Sequence, residues 1–167
     1  MPATADESDS WHDHVVISEV LASASSASYN GTDWNGDGYI GSSSDQFIEL
    51  WNPTDQTVNI SNWVLDDIIG GGSPACTIGW NTELAPGARL AFFRDYTEIE
   101  LDYWDGATVN LMDDQGNLVH SMTYAPEDSW WDVPYTLLEN GSYWKDFDGP
   151  SPGADEPANW TGPSVGG

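Results

Sequence analysis

Short strand-like runs separated by turn residues constrain the fold of this chain more than any other feature of its sequence. Apolar and polar residues alternate in several of these runs, as they do in strands with one buried face. Glycine, proline, asparagine and aspartate cluster between them, and no stretch repeats apolar residues at helical spacing. The pattern predicts an all-β chain, specifically a β-sandwich. The runs are residues 15–21, 47–51, 57–65, 75–78, 89–93, 108–112 and 117–124.

The first run carries an acidic residue on its apolar face. By the two-residue period of a strand, Val15, Ile17 and Leu21 share one side, and Glu19 interrupts it. Two explanations are open. The carboxylate either turns toward the aspartate-rich loop at residues 33–38, described below as a candidate calcium site, or reaches water at the end of the strand.

The charge of the chain excludes several classes of partner. Lys145, Arg89 and Arg94 are the only fixed cations against 28 acidic residues, which gives a net charge of −25. Such a surface repels the phosphates of nucleic acids and anionic lipid headgroups. No run of 18 apolar residues is present, so the sequence predicts no membrane insertion. Ten tryptophans argue for a folded core, because disordered chains are poor in aromatic residues.

An oxygen-rich loop precedes the second run and predicts a calcium site. Asp33, Asn35 and Asp37 stand at loop positions 1, 3 and 5, and Gly38 follows at position 6, where a calcium loop turns sharply. Tyr39 at position 7 offers its backbone carbonyl. Position 12 lacks the expected glutamate, so the remaining candidate ligands are Asp45, Glu49 and Glu19. The alternative is an ordinary solvated turn, because Asn, Asp and Gly tolerate such backbones.

Several motifs, in their order and spacing, resemble the lamin tail domain family. They are Ile17-Ser18-Glu19-Val20, residues 33–38 leading into 45–52, residues 58–67, Leu84-Ala85-Pro86-Gly87, residues 109–113 with Gly116, and Ser151-Pro152-Gly153. The resemblance implies an immunoglobulin-like β-sandwich over residues 15–155, flanked by an acidic N-terminal arm (1–14) and a C-terminal tail (156–167). It also implies a module that is not an enzyme, found in secreted or surface proteins of bacteria and archaea. Many such members carry the aspartate-rich insert, and many have glutamate at the position of Gln46, which favours Asp45 as the ligand here.

These observations together predict a calcium-binding, extracellular module for adhesion, protein–protein interaction, self-association or surface and filament assembly. Residues 1–14 contain no apolar segment of a signal peptide, so we expect a mature product or a piece of a longer chain.

The main alternative function is carbohydrate binding through exposed aromatic rings. The candidates for this function are Trp130, Trp131, Tyr143 and Trp144, which lie in loop-like sequence. Asn30 and Asn140 are candidate glycosylation sites, since each opens an Asn-x-Ser/Thr sequon in a loop.

Other chemistry has weaker support in the sequence. The pattern Gly-x-Ser-x-Gly around Ser151 is typical of hydrolases, but prolines flank the serine and no helix follows it. His12 and His14 have the spacing of a weak metal site. His120 is alone on a strand and is predicted to be a packed or surface residue. Cys76, the single cysteine, is predicted to be a small buried hydrophobe.

Overall fold

The computed structural model of the chain describes residues 13–24 and 31–124, together with the backbone of two further strands. The elements, in chain order, are β1 (Val16–Leu21), β2 (Phe47–Trp51), β3 (Val58–Asn59), β4 (Val64–Asp66), β5 (Cys76–Thr77), β6 (Glu83–Leu84), β7 (Arg89–Phe93), α1 (Arg94–Thr97), β8 (Ala107–Met112), β9 (Leu118–Tyr124), β10 (Tyr135–Leu137) and β11 (Tyr143–Lys145).

The strands form two antiparallel sheets and a small ladder. The first sheet has the order β11-β10-β1-β2-β7, and the second has the order β5-β4-β8-β9. Strands β3 and β6 pair separately. The prediction of an all-β, immunoglobulin-like sandwich is therefore confirmed.

The main core lies between the two sheets. The first sheet contributes Ile48 and Leu50, and the second contributes Leu65 and Leu111, all of which are buried. These residues alternate with polar or outward-facing neighbours along their strands, as the two-residue period requires. Residues from connecting segments, such as Ile60, close the ends of this cluster.

A bulge in β1 corrects the predicted face of that strand. The pairing of β1 with β2 shifts register between Ile17 and Glu19, so one extra residue is accommodated there. Beyond the bulge, Val20 joins the main core, and Leu21 instead joins a second cluster. The predicted set of Val15, Ile17 and Leu21 on one face is therefore wrong at its last member.

The predicted strand at 57–65 is two short strands rather than one. A turn at residues 61–62 separates β3 from β4, and Asn62 adopts a left-handed backbone with φ of 63°. Asparagine tolerates this conformation better than most residues. As a result β3 pairs with β6, whereas β4 enters the second sheet.

One helical turn, which the periodicity did not predict, follows β7. Helix α1 ends where Glu98 adopts φ of 58° and donates its N–H to the carbonyl of Arg94 at 2.7 Å. Within the described residues, no helix has the length and apolar character needed to span a membrane.

The second cluster lies on the outer face of the first sheet. It contains Leu21, Ala24, Phe47, Ala91 and Phe93, and Trp34 packs against it from the loop before β2. The Trp34 ring lies 5.7 Å from that of Phe47 and tilts by 55°. This contact fixes the loop against the sheet.

Candidate functional site

The aspartate-rich loop winds around the carboxylate of Asp33. One oxygen, Oδ1, accepts the N–H groups of Gly36 at 2.8 Å and Asp37 at 3.1 Å, and Oδ2 accepts that of Gly38 at 2.8 Å. Both glycines have positive φ, 73° and 86°, which this tight winding requires. Three of about four acceptor positions on the carboxylate are thus in use.

Asn35 and Asp37 project from the same turn and keep free acceptor capacity. Asn35 Oδ1 accepts one bond, from the Asp37 N–H at 3.0 Å. Asp37 Oδ1 accepts the Tyr39 N–H at 2.7 Å, and its Oδ2 faces the Asn35 amide at 3.3 Å. Each of these side chains therefore retains lone pairs for a further partner.

Asp45 closes the loop from its far end. Its Oδ1 accepts the N–H groups of Trp34 at 2.9 Å and Asn35 at 3.3 Å. Its Oδ2 accepts the Gly41 N–H at 2.8 Å and the Ser44 hydroxyl at 3.3 Å. The residue is fully buried, and these four donors use its acceptor capacity. In this arrangement Asp45 is a clamp between the two ends of the loop, which differs from the ligand role predicted for it.

Gln46 has a similar tethering role. Its amide oxygen accepts the Leu101 N–H at 3.2 Å, and its amide nitrogen donates to the carbonyls of Ala22 and Leu101. The side chain is buried and connects three segments beneath the loop.

Glu49 and Glu19 lie in paired strands rather than in the loop. Glu19 is the register partner of Glu49, whose side chain is fully buried. Glu49 Oε1 accepts a hydrogen bond from the Ser18 hydroxyl and forms an ion pair with Arg89 at 2.7 Å. Its other oxygen, Oε2, is buried and accepts no hydrogen bond within the described part of the chain. One oxygen of Glu49 is therefore already paired with a cation of the protein, Arg89.

The sandwich agrees with the comparison to known families. Residues 9–126 match the family described as Lamin Tail Domain, which is well over half of the chain. The chain belongs to the lamin tail domain family. No individual protein of curated function matches the sequence. A lamin tail domain is a non-catalytic, immunoglobulin-like β module that takes part in protein interactions.

This lamin tail domain brings some of the predicted ligands together and leaves others apart. Hydrogen bonds link Asp33, Asn35, Asp37 and Asp45 within one loop, whereas Glu19 and Glu49 belong to the sheet. Across residues 13–24 and 31–124, no group of three or more His, Cys, Asp and Glu side chains is arranged to hold a metal ion. The donors of the loop are nevertheless the hard oxygens that calcium prefers, and those of Asn35 and Asp37 retain lone pairs.

Several predicted sites fall outside the described residues. Trp130, Trp131, Asn30 and Asn140 lie there, as do His12 and Ser151. Tyr143 and Trp144 belong to β11, of which the backbone alone is described. The carbohydrate and glycosylation predictions therefore stay predictions.

The lamin tail domain also exposes aromatic residues that the sequence reasoning missed. Trp80 is 83% exposed, Trp104 64%, and Tyr96 54%. The rings of Tyr103 and Trp104 lie 4.8 Å apart. Turn residues beside them, such as Gly79 and Gly106, were the available signal, because side chains in turns lie at the surface more often than those in strands.

Cys76 and His120 both pack against neighbouring strands. Cys76 is buried, as predicted, and burial raises the pKa of its thiol. His120 is the packed residue that was one of its two predicted alternatives, since its Nδ1 accepts the Ile17 N–H at 3.2 Å and its ring lies 5.9 Å from that of His14. Burial lowers the pKa of His120 to about 4, and the neighbouring His14 adds to the shift. The imidazole therefore acts as a neutral acceptor between β9 and β1.

Proposed function

We propose that this lamin tail domain is a non-catalytic, calcium-binding extracellular module for adhesion, protein–protein interaction, self-association or surface and filament assembly. The observation that carries the proposal is the loop wound around Asp33, in which Asn35 and Asp37 keep unused oxygen lone pairs. Calcium takes six to eight oxygens at about 2.3–2.6 Å, from carboxylates, amides, backbone carbonyls and water. The ligands in this proposal are Asp33, Asn35, Asp37 and the Tyr39 carbonyl.

Hydrogen bonds within the protein hold the loop in a conformation that can receive an ion. The amides of Gly36 and Gly38 hold Asp33 in one orientation, and Asp45 ties the loop closed at its base. A bound calcium ion would supply positive charge that offsets repulsion among these carboxylates. The overall charge of −25 attracts cations to the surface in the same way.

The extracellular setting follows from calcium availability. Extracellular calcium modules bind with a Kd of about 10⁻⁴–10⁻³ M, and sites of this affinity fill where calcium is abundant. The dense acidic surface is also tolerated where salt screens it.

A thermal melt in calcium and in excess chelator tests the calcium site. At a hundredfold excess over Kd the ion adds about 2.7 kcal/mol, which raises the midpoint by about 5–11 °C in a domain of this size. We expect the chelated midpoint to recover with calcium but not with magnesium. An unmoved midpoint, in a sample that elemental analysis finds free of calcium, would contradict the proposal.

A pair of variants tests the ligand assignment. By titration calorimetry, Asp37→Ala should weaken calcium binding, whereas Asp55→Ala should not, because Asp55 is an exposed residue in a different loop. Equal affinities would reject Asp37 as a ligand.

The second candidate function is carbohydrate binding, and one observation favours it. Tyr103 and Trp104 form an exposed ring pair with centroids 4.8 Å apart, and sugars stack on such rings. Quenching of tryptophan fluorescence across an oligosaccharide panel, lost in Trp104→Ala, would support this alternative. No quenching across the panel would reject it.

A further inference from the structure

Trp80 and Tyr96 form an exposed aromatic surface beside the edges of both sheets. Trp80 is 83% exposed in the turn after β5, and Tyr96 is 54% exposed on α1, which follows β7. The Tyr96 hydroxyl accepts the N–H of Gly79 at 3.0 Å, which places Tyr96 against the turn that carries Trp80. We refer to Trp80 and Tyr96 as the aromatic surface.

Hydrogen bonds and ring packing hold the aromatic surface in place. The Thr82 hydroxyl donates to the Gly79 carbonyl at 2.7 Å, and its N–H donates to Ser61 at 3.0 Å. On the other side, the Tyr96 ring packs on that of Phe92 at 5.7 Å. Two large rings are thus presented to solvent on an ordered backbone, which reduces the entropy cost of binding a partner.

The charges around the aromatic surface are negative. Exposed Glu83, Asp95 and Glu98 flank it in the sequence. The fixed cations within residues 13–24 and 31–124 are Arg89 and Arg94, and each is already engaged. Arg89 pairs with Glu49 at 2.7 Å, and Arg94 pairs with Glu100 at 2.9 Å.

We propose that the aromatic surface is the docking site for a Lys- or Arg-rich segment of a partner protein. Cationic groups are attracted to the faces of Trp and Tyr rings, and neighbouring carboxylates strengthen this preference. The same arrangement disfavours acidic partners, because like charges across an interface are repulsive. The inference rests on the proposed interaction function and adds the chemistry of the partner to it.

Helix α1 connects the aromatic surface to the candidate calcium loop. The Asn35 amide donates to Asp95 at 3.4 Å, and the Arg94 N–H donates to the Gln46 carbonyl at 3.0 Å. Ordering the loop therefore also fixes the helix that carries Tyr96.

Binding of a capped hexa-arginine peptide to the full chain in calcium, measured by calorimetry, tests the proposal. The double variant Trp80→Ala/Tyr96→Ala should bind about five- to thirtyfold more weakly, since each ring contributes a cation–π contact. The matched control is Ile69→Ala/Leu118→Ala, which removes two exposed apolar side chains that carry no ring and leaves the net charge unchanged. It should change the affinity less than twofold.

Three further binding measurements separate the effect of charge from that of the rings and from a failure to fold. A hexa-citrulline peptide, similar in shape but uncharged, should not bind. Replacing both rings with phenylalanine should restore most of the affinity. If the double variant does not fold, Trp80→Ala alone should still weaken binding about two- to fivefold.

Two results would overturn the proposal. Equal losses in the test and control variants would mean that binding is not specific to these two rings, and no loss in either would mean that the peptide senses only diffuse negative charge. Binding of chitohexaose or cellohexaose that is lost in the test variant, with peptide binding unchanged, would make this surface a sugar site. The calcium-dependent midpoint of the same variant is measured in parallel, so failure of this inference is distinguished from failure of the calcium proposal.

Discussion

Replacing Asp45 with asparagine separates its two possible roles, that of a clamp and that of a calcium ligand. The side chain is fully buried and accepts four hydrogen bonds, from Trp34, Asn35, Gly41 and Ser44. Asparagine has nearly the same shape but replaces one acceptor oxygen with a donor NH₂ group. Two of the four donors then face another donor.

The cost follows from these contacts. A hydrogen bond to a charged group contributes about 1.5–3 kcal/mol, and leaving buried donors unpaired has a similar cost. The Ser44 hydroxyl can rotate to accept a bond, so we take the loss as about 3 kcal/mol. In a domain of this size that loss lowers the thermal midpoint by about 6–12 °C.

The assay is a thermal melt of Asp45→Asn and of Asp55→Asn, each in calcium and in chelator. Asp55 is exposed and, among residues 13–24 and 31–124, accepts a hydrogen bond only from Gln56 at 3.2 Å, so its variant should shift the midpoint by less than about 2 °C. If Asp45 is a clamp, its variant loses the same stability in both media. A loss that appears only in calcium would refute the clamp and restore the ligand role, and a loss no larger than that of Asp55→Asn would refute both.

Two further predictions concern buried polar groups. Arg89→Leu should lower the free energy of unfolding, measured by urea denaturation, by about 3 kcal/mol, because it leaves buried Glu49 without its counterion. Arg94→Leu should cost under about 1 kcal/mol, because its partner Glu100 is 67% exposed and stays solvated when the arginine is removed. Equal costs would contradict this reasoning. The pKa of His120 is lowered to about 4 in the folded state, so between pH 6.5 and 4 the unfolded chain takes up a proton that the folded chain does not. Stability should therefore fall by about 2 kcal/mol between pH 7 and pH 5, and His120→Gln should remove that part of the pH dependence.

Elements governed by local pattern were predictable from the sequence. Strand β2 has the predicted bounds, Phe47 to Trp51, because an apolar run ends at an Asn-Pro turn. The hairpin between β8 and β9 was predictable for a related reason. Gly116 adopts φ of 81° in its turn, a conformation that glycine adopts without strain.

Features that depend on distant contacts were not predictable. The bulge after Ile17 moves Leu21 to the outer cluster, and no local pattern marks it. The break at Asn62 occurs because β3 and β4 have different partners, which strand alternation cannot reveal.

The candidate site was predicted in position and only partly in detail. The spacing of Asp33, Asn35 and Asp37 located the loop, since all three side chains bond within one turn. The clamp role of Asp45 could not be inferred, because it depends on amide donors from both ends of the loop converging on one buried carboxylate.

The pairing of β1 with β10 bears on how the chain folds. Glu19 pairs with Thr136, so more than one hundred residues separate the two strands of this ladder in the sequence. Contacts so far apart in sequence raise the contact order and slow folding. Strand β10 also lies beyond the residues that match the family, which end at 126. A fragment cut at that boundary would leave one side of β1 as an open, apolar strand edge, and such edges recruit other chains into aggregates. Expression fragments of this domain should therefore extend past Lys145.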